Sequence, residues 1–284
     1  MVGSPVEFFV ITLLCSIGAG ILGALLGLGG GIIVIPVLTL GLGVDIHYAI
    51  GASIVSVIAT SSGAAATYVR DRITNLRVGM FLELGTTTGA ITGAYVSGLV
   101  SGQVLYLVFG AILAYSGVAM FRESQQTVPT AVPPSRIATQ LRLHSHYYDA
   151  ALQRQVFYQV AGVLPALGLM YVAGIVSGLL GIGSGALKVP AMDLVMHLPM
   201  KVSSATSNFM IGVTAAASAG IYFVRGDIQA IVAAPVAMGV LIGATLGTRL
   251  LTRLRGAVIR QIFVVVLAVI CLEMLARGLG LGVP

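Results

Sequence analysis

Ten apolar runs, separated by short polar segments, account for most of the chain. They lie at residues 5–26, 31–44, 48–69, 78–100 and 103–121, and again at 156–180, 185–198, 202–224, 228–250 and 257–276. A helix needs about 20 apolar residues to cross the hydrocarbon core of a bilayer. Eight runs meet that need, whereas 31–44 and 185–198 are too short to cross comfortably. The pattern predicts an all-α polytopic membrane protein.

Each of the two short runs directly follows a glycine-rich break. The breaks are Gly27-Leu28-Gly29-Gly30-Gly31 and Gly181-Ile182-Gly183-Ser184-Gly185, and each is followed five residues later by a proline, Pro36 or Pro190. A break and its short run form either a full crossing or a re-entrant hairpin with its tip near the membrane midplane. Two topologies therefore stay open: ten crossings, or eight crossings and two re-entrant hairpins.

The two breaks lie 154 residues apart, and the same offset aligns much of the chain with itself. It pairs Gly20 with Gly174 and Ser53 with Ser207. A repeat held at one spacing predicts two copies of one five-segment unit. We assign the first repeat to 1–121, a cytoplasmic connector to 122–155 and the second repeat to 156–284. Paired breaks in corresponding positions of two apolar halves point to a transport site at the repeat interface.

The charged residues indicate how the chain is oriented. They make up 8% of the sequence, against about 25% in a soluble domain. The net charge is +6, but the arginines are scattered over short loops, which argues against nucleic acid as a partner. If the N-terminus is placed outside, twelve basic residues fall inside and two fall outside; Lys188, at the second break, is not counted. The two outside are Arg225 and Arg277. The twelve inside are Arg70, Arg72, Arg77, Arg122, Arg136, Arg142, Arg154, Lys201, Arg249, Arg253, Arg255 and Arg260.

This positive-inside bias predicts that both termini lie outside. An odd number of crossings in each half then inverts the second repeat relative to the first. The predicted fold is thus two inverted five-segment repeats whose glycine-broken helices meet at the repeat interface. Inverted repeats with broken helices are typical of secondary transporters.

The connector is the one long polar stretch. It begins with a proline-rich linker at 127–134, and its alternating residues 141–147 predict a short strand at the cytoplasmic surface. His144 and His146 could form half of a metal site, but no cysteine or acidic cluster completes it, so we expect a solvated connector without metal. Cys15 and Cys271 both lie in apolar runs; we expect reduced thiols, with a disulfide between them as the alternative.

Glycines also recur at four-residue spacing in the fourth run of each half. The two series are Gly85, Gly89, Gly93 and Gly239, Gly243, Gly247. Small residues on one helix face let membrane helices approach closely. We interpret both series as packing faces.

The sequence contains no recognisable catalytic machinery. It lacks a nucleophile–base–acid set, a phosphate-binding Walker loop and a zinc-protease motif, and the glycines of the first break follow no strand, as a dinucleotide loop would require. We expect no enzyme activity and no cofactor.

An anion site at the breaks is better supported. A helix that begins inside the membrane presents unpaired N–H groups and the positive end of its dipole, and glycine lets an oxyanion approach the backbone. Lys188 adds a full positive charge one turn into the second short helix. The alternatives for Lys188 are an ion pair with Asp193 or a side chain that reaches the membrane surface.

Hydroxyl and amide groups of the third run in each half could donate to the same oxyanion. The alternative is that the hydroxyls bond their own helix carbonyls. We interpret His47 and Glu83, near predicted membrane boundaries, as interfacial or packing residues. The predicted substrate-binding residues are Gly29, Gly30, Gly31, Ser53, Gly183, Ser184, Gly185, Lys188, Thr206, Ser207 and Asn208.

The doubled motif, with Ala205-Thr206-Ser207, resembles the TauE/SafE family of bacterial sulfite and organosulfonate-linked exporters. The resemblance covers essentially the whole chain and implies a secondary exporter of a small oxyanion in the bacterial cytoplasmic membrane, in contact with lipid and compatible with a homo-oligomer. Ser184 in place of a glycine, and Gly51-Ala52-Ser53 without a threonine, depart from the expected pattern. Membrane potential is the first expected driving force and proton coupling the second. The alternatives are a non-transporting membrane subunit or receptor, and a cation transporter.

Overall fold

Helices follow the predicted apolar runs closely. The computed structural model describes residues 5–26, 29–123, 135–149, 153–251 and 268–280. The first half contains α1 (Pro5–Leu26), α2 (Gly31–Pro36), α3 (Ile46–Arg70), α4 (Leu76–Ser97) and α5 (Gly102–Glu123). The second half contains α7 (Val163–Leu180), α8 (Gly185–Pro190), α9 (Met200–Arg225) and α10 (Ala230–Leu251), and residues 268–278 are also helical.

Five of these helices are long and apolar enough to cross a membrane, among the residues that the structure describes. They are Pro5–Ala24, Ile46–Arg70, Val163–Leu180, Lys201–Arg225 and Ala230–Gly247. The mostly helical structure is consistent with the predicted all-α, multi-pass membrane protein, with five such helices among the described residues where the sequence predicts eight runs of crossing length.

Both short helices change their geometry at their prolines. Directly after Pro36 the helix widens into a π-helical turn, Val37–Gly41, and after Pro190 it does the same over Ala191–Val195. Proline removes one helical N–H donor and its ring crowds the preceding turn, and a widened turn is a common way to absorb such a defect. The short run of each half thus has the same structure, a short α-helix followed by a π-helical turn.

The helix contacts of one half correspond to helix contacts of the other half. Helix α1 lies against α10, and α4 lies against α7. Helix α3 packs on both α10 and α9, and α9 also packs on α4. The 154-residue offset converts α1 into α7, α4 into α10 and α3 into α9. The contact of α1 with α10 therefore corresponds to that of α7 with α4, and the contact of α3 with α10 corresponds to that of α9 with α4. The helices of both halves thus pack in the same way around α3 and α9.

The glycine series form the closest of these contacts. A β-carbon added at Gly85 would lie 2.9 Å from the carbonyl oxygen of Leu167, and one added at Gly89 would overlap that of Tyr171. In the other half, a β-carbon at Gly239 would lie 2.5 Å from the oxygen of Leu13. The predicted packing faces are confirmed, since the backbone of each partner helix occupies the space that a side chain would need.

The connector contains a hairpin where the sequence predicts one strand. Strands β1 (Ser145–Asp149) and β2 (Arg154–Tyr158) pair antiparallel, and a short helix, α6 (Arg136–Gln140), precedes them. Strand β2 crosses the predicted boundary at residue 156. The side chains of Tyr147 and Tyr158 join a buried cluster with Val78 and Leu198, so the hairpin covers one end of the bundle. The proline-rich stretch predicted at 127–134 lies outside the described residues.

Candidate functional site

The two glycine breaks meet between α3 and α9. A β-carbon added at Gly31 would lie 3.0 Å from the carbonyl oxygen of Gly181 and would overlap the hydroxyl of Ser53. One added at Gly29 would lie 3.8 Å from the oxygen of Ile182. Residues far apart in sequence thus come together at one buried place, as the paired motifs predict. Gly27 and Leu28 lie outside the described residues.

The two breaks differ in backbone conformation. Gly29, Gly181 and Gly183 have positive φ angles of 76°, 65° and 77°. Ser184 is also left-handed, with φ of 52°, whereas its counterpart Gly30 is right-handed at −66°. A left-handed serine is strained by about 1–2 kcal/mol. The backbone turn at Ser184 in the second break therefore differs from the turn at Gly30 in the first break.

Apolar side chains support both breaks from α3 and α9. A β-carbon added at Gly183 would lie 2.7 Å from Ile211 Cγ2 and 3.0 Å from Val57 Cγ1, and one at Gly29 would lie within 3.7 Å of the same two residues. Val57 and Ile211 are counterparts in the repeat. Glycine is required at position 183 because the facing side chains leave no room, whereas at position 29 it is the positive φ angle that favours glycine.

The equivalent serines of α3 and α9 have different hydrogen bonds. Ser53 Oγ donates to the carbonyl oxygen of Gly181 at 2.7 Å and so ties α3 to the opposite break. Ser207 Oγ is buried and has no hydrogen-bond partner among the residues described, and the same holds for Ser184 Oγ. The counterpart acceptor for Ser207 would be Gly27, which is not described. Two buried hydroxyls, one in the second break and one on α9, thus remain available to a ligand.

Two predicted site residues are engaged in helix packing instead. Thr206 Oγ1 accepts from the backbone N–H of Asn75 at 3.0 Å, so this hydroxyl faces the start of α4. Asn208 Nδ2 donates to the carbonyl oxygen of Ser204 at 3.1 Å, and the Asn208 carbonyl accepts from Ser61 Oγ. The structure therefore does not bring Thr206 to the breaks.

Lys188 is completely buried, with none of its surface exposed. Its ammonium donates to Thr214 Oγ1 at 2.6 Å, and that hydroxyl lies 2.6 Å from Glu83 Oε1. The side chain therefore does not reach the membrane surface. Its hydrogen bond leads to Thr214 and Glu83, and not to the ion pair with Asp193 that was the alternative.

Glu83 is a functional candidate that the sequence reasoning missed. It is only 8% exposed, which fits the packing alternative of the sequence prediction better than the interfacial one. Oε1 also accepts from Thr87 Oγ1 at 3.1 Å, while Oε2 is buried without a partner among the described residues. An acidic residue inside an apolar run is costly unless it is paired or functional, and that rule alone could have identified it.

The packing of α4 beside α9 explains how these side chains meet. Asn75 contacts Thr206, Glu83 contacts Thr214, and Arg225 donates to the carbonyl of Ala94 at 3.0 Å. The sequence separation is 131 residues in every case. The two helices therefore run parallel in constant register along this face, which holds the acid opposite the hydroxyl.

The remaining candidates have structural partners. His144 Nδ1 accepts from the N–H of Val160 at 3.1 Å, and Nε2 lies 3.1 Å from Thr139 Oγ1. His146 packs on the ring of Phe157. No group of three potential metal ligands occurs among the described residues. His47 pairs with Asp45 at 3.0 Å near the start of α3.

The two cysteines are both free thiols. Cys15 is exposed and Cys271 is buried, with its sulfur 3.2 Å from the carbonyl oxygen of Gly110. The alternative of a disulfide between them is therefore wrong.

Comparison with known proteins identifies the group to which these features belong. The sequence model of the family described as Sulfite exporter TauE/SafE matches residues 12–274. The chain is 28% identical over 232 residues to the probable membrane transporter protein YunE of Bacillus subtilis (strain 168), covering 79% of this chain and 82% of that protein. It is 29% identical over 206 residues to a probable membrane transporter protein of Xylella fastidiosa (strain 9a5c), covering 71% and 70%. No solved structure matches the chain.

Proposed function

The chain belongs to the sulfite exporter TauE/SafE family, and from this premise we propose that it exports a small oxyanion across the bacterial cytoplasmic membrane. Membership in the family and the similarity to membrane transporter proteins make it a membrane transporter. The proposed substrate is sulfite or a related sulfur oxyanion or organosulfonate.

The observation that carries this proposal is the buried cation beside the second break. Lys188 has no exposed surface, and the unpartnered hydroxyls of Ser184 and Ser207 are buried on neighbouring segments. An ammonium and neutral hydroxyl donors suit an oxyanion, which has only acceptor atoms. A cation as substrate would be repelled by Lys188.

The backbone of the breaks supports an anion as well. The helical segments that start at Gly31 and Gly185 continue through their π-helical turns to Gly41 and Val195. Each has eleven residues and measures about 16 Å, roughly half the hydrocarbon thickness. A segment of this length that ends at one membrane surface begins near the midplane. The positive ends of the helix dipoles then lie inside the membrane at the breaks.

The exchange of contact pairs supports an alternating-access mechanism. Helix α1 with α10 and α7 with α4 form equivalent pairs, and the positive-inside bias of the loops favours an inverted second repeat. Inverted repeats transport by rocking one unit against the other around a fixed site. An inside-negative potential drives each net negative charge that moves with the substrate outward by about 2.3 kcal/mol per 100 mV, so it favours export of an oxyanion that crosses with a net negative charge.

The test is sulfite efflux from proteoliposomes under an imposed potential. We expect potential-driven flux in the wild type and a loss of at least about tenfold in Lys188→Met, because a buried charge contact to the anion contributes more than 1.4 kcal/mol. Lys201→Met, which removes an exposed lysine outside the breaks, is the matched control and should retain the flux.

Two results would contradict the proposal. Equal flux in Lys188→Met and the wild type would remove Lys188 from the site. A folded wild type that moves neither sulfite nor a related oxyanion would refute the substrate and favour a non-transporting membrane subunit or receptor.

A further inference from the structure

Lys188, Thr214 and Glu83 form a buried chain of hydrogen bonds that anion binding alone does not explain. The ammonium donates to the Thr214 hydroxyl at 2.6 Å, and the same oxygen lies 2.6 Å from Glu83 Oε1 and 2.8 Å from the carbonyl oxygen of Met210. A binding site for an anion gains nothing from a fixed carboxylate, which repels the ligand. Glu83 therefore requires a separate explanation.

The Thr214 hydroxyl has one proton and two acceptors within reach. It can donate to Glu83 when the glutamate is a carboxylate. When Glu83 is protonated, the carboxyl can donate to Thr214 Oγ1, and the hydroxyl proton can turn to Met210. A hydroxyl serves as donor and acceptor at once. The Thr214 hydroxyl can thus keep a hydrogen bond to Glu83 Oε1 in either protonation state of the glutamate.

Charge balance links the protonation of Glu83 to the anion. In the empty site the ammonium and the carboxylate compensate each other. When an oxyanion binds at Lys188, two negative groups share one positive group in a buried region, which is unfavourable. A proton on Glu83 restores the balance. Anion binding and proton binding therefore favour each other.

We propose that Glu83 is a proton-binding site and that each oxyanion crosses the membrane together with one proton carried on the Glu83 carboxyl. This inference rests on the proposed function as an oxyanion exporter. The proton adds to the carboxylate from water on the side where the anion enters. It returns to water where the anion leaves, so Glu83 ends each cycle as a carboxylate.

Other titratable groups lie away from Glu83 in the elements packed against α4. Helix α7 contributes only Tyr171, whose side chain is exposed, and α9 carries Lys201, Tyr222 and Arg225 toward its ends. Thr214 is separated from Lys201 by thirteen residues and from Tyr222 by eight, which correspond to about 20 and 12 Å along a helix. Lys188 is thus the charged partner that faces Glu83 among the described residues.

The experiment measures sulfite flux and net charge together in proteoliposomes on a solid-supported membrane. The expected result is that Glu83→Gln moves one more negative charge per sulfite than the wild type at the same pH. Glutamine resembles the protonated acid but carries no transferable proton. Comparing both proteins in the same sulfite solution removes the contribution of sulfite's own protonation, which is identical for the two.

Two further variants make the result specific. Thr214→Val should give the same rise by one charge per sulfite, because it removes the hydroxyl that donates to the Glu83 carboxylate and so opposes release of the proton in each cycle. This variant serves if Glu83→Gln does not fold. Thr60→Val is the matched control: Thr60 is the counterpart of Thr214, is equally buried and bonds Ser56. It should keep the wild-type charge per sulfite.

The outcomes separate the two proposals. If the wild type moves no sulfite or related oxyanion, the exporter proposal fails and the proton site fails with it. If the wild type moves sulfite and both Glu83→Gln and Thr214→Val keep its charge per sulfite, only the proton site is refuted. Loss of all flux in Glu83→Gln with an unchanged ratio in Thr214→Val would also refute it, because Glu83 would then be purely structural.

Discussion

The two halves of the molecule share their packing but not their charges. The side chains of Lys188, Thr214 and Glu83 correspond, at the 154-residue offset, to Val34, Thr60 and Ala237. The threonine is kept, and in both halves it bonds the carbonyl four residues earlier, at 2.8 Å. Both charged groups are replaced by apolar ones. The positions that correspond to Lys188 and Glu83 therefore carry no charge, although the helix packing around them is repeated.

The same difference extends to the breaks. In the first half, Gly30 is right-handed and Ser53 is bonded to Gly181, whereas in the second half Ser184 is left-handed and its hydroxyl has no partner among the described residues. The first half contributes mainly support, and the second half contributes the groups that could hold an anion. This division can be tested by substitutions made in pairs, one in each half.

The largest expected effect concerns the shared packing, where both halves should respond alike. Gly89→Val and Gly243→Val each place a side chain on a carbonyl oxygen of the partner helix, Tyr171 or Ile17, and that backbone cannot move aside. We expect no folded protein from either variant, judged by recovery of monodisperse protein in detergent. Gly168→Ala, where nothing lies within 4 Å of an added β-carbon, is the control and should fold. Normal recovery of one of the two valine variants would show that the packing is not equivalent.

The second prediction places the charged pair at the two equivalent positions of the repeat, Val34 and Ala237. Val34→Lys buries an unpaired ammonium, because Val34 is only 2% exposed and no acid faces it at the position of Ala237. A buried charge without its partner destabilises by about 3–5 kcal/mol. Adding Ala237→Glu should restore part of this loss. Thermal unfolding in detergent measures both effects, and an unchanged melting temperature in Val34→Lys would contradict the equivalence of the two positions.

The sequence could predict the helices and their packing faces because both are visible in the composition of short stretches of the chain. The apolar run at 5–26 and the helix Pro5–Leu26 coincide, and the four-residue spacing of Gly85 and Gly89 identifies a packing face without any knowledge of its partner. The breaks are visible in the sequence because glycine and proline interrupt a helix whatever surrounds them. Such features depend on a few neighbouring residues.

The charged site could not be predicted in the same way. Glu83 meets Thr214 only because α4 and α9 run parallel in one register, and nothing near Glu83 in sequence reveals that register. Asp193 lies five residues from Lys188 in sequence and was the obvious candidate for a partner. The hydrogen bonds lead elsewhere because Lys188 projects toward α9. Sequence proximity is a poor guide to the partners of a buried charge.

The third prediction compares Asn75 and Gln229, the residues directly before α4 and α10. Asn75 accepts from the N–H of Val78 at 3.2 Å and donates to the carbonyl of Leu143 and the hydroxyl of Tyr158, at 2.9 and 3.0 Å. Asn75→Ala removes a helix cap and two buried hydrogen bonds, so we expect a loss of about 2–3 kcal/mol.

Gln229 is the control for this variant, because it is the counterpart of Asn75 and is exposed. Gln229→Ala should change the stability by less than about 0.5 kcal/mol. The melting temperatures of the two variants in the same detergent give the comparison. Equal shifts would show that the connector adds no stability at the start of α4.

The smallest expected effect separates the two serines at the breaks. Ser53→Ala deletes the hydrogen bond to Gly181 and leaves that buried carbonyl unpaired, so the protein should lose about 1–2 kcal/mol of stability. Ser207→Ala deletes a hydroxyl that has no partner among the described residues, and its stability should stay within about 0.5 kcal/mol of the wild type. Sulfite transport should show the opposite order, with Ser207→Ala reducing the apparent affinity and Ser53→Ala retaining it. If Ser207→Ala instead lowers the melting temperature and leaves transport unchanged, the two serines are equivalent structural ties, and the division into a supporting half and a binding half is wrong.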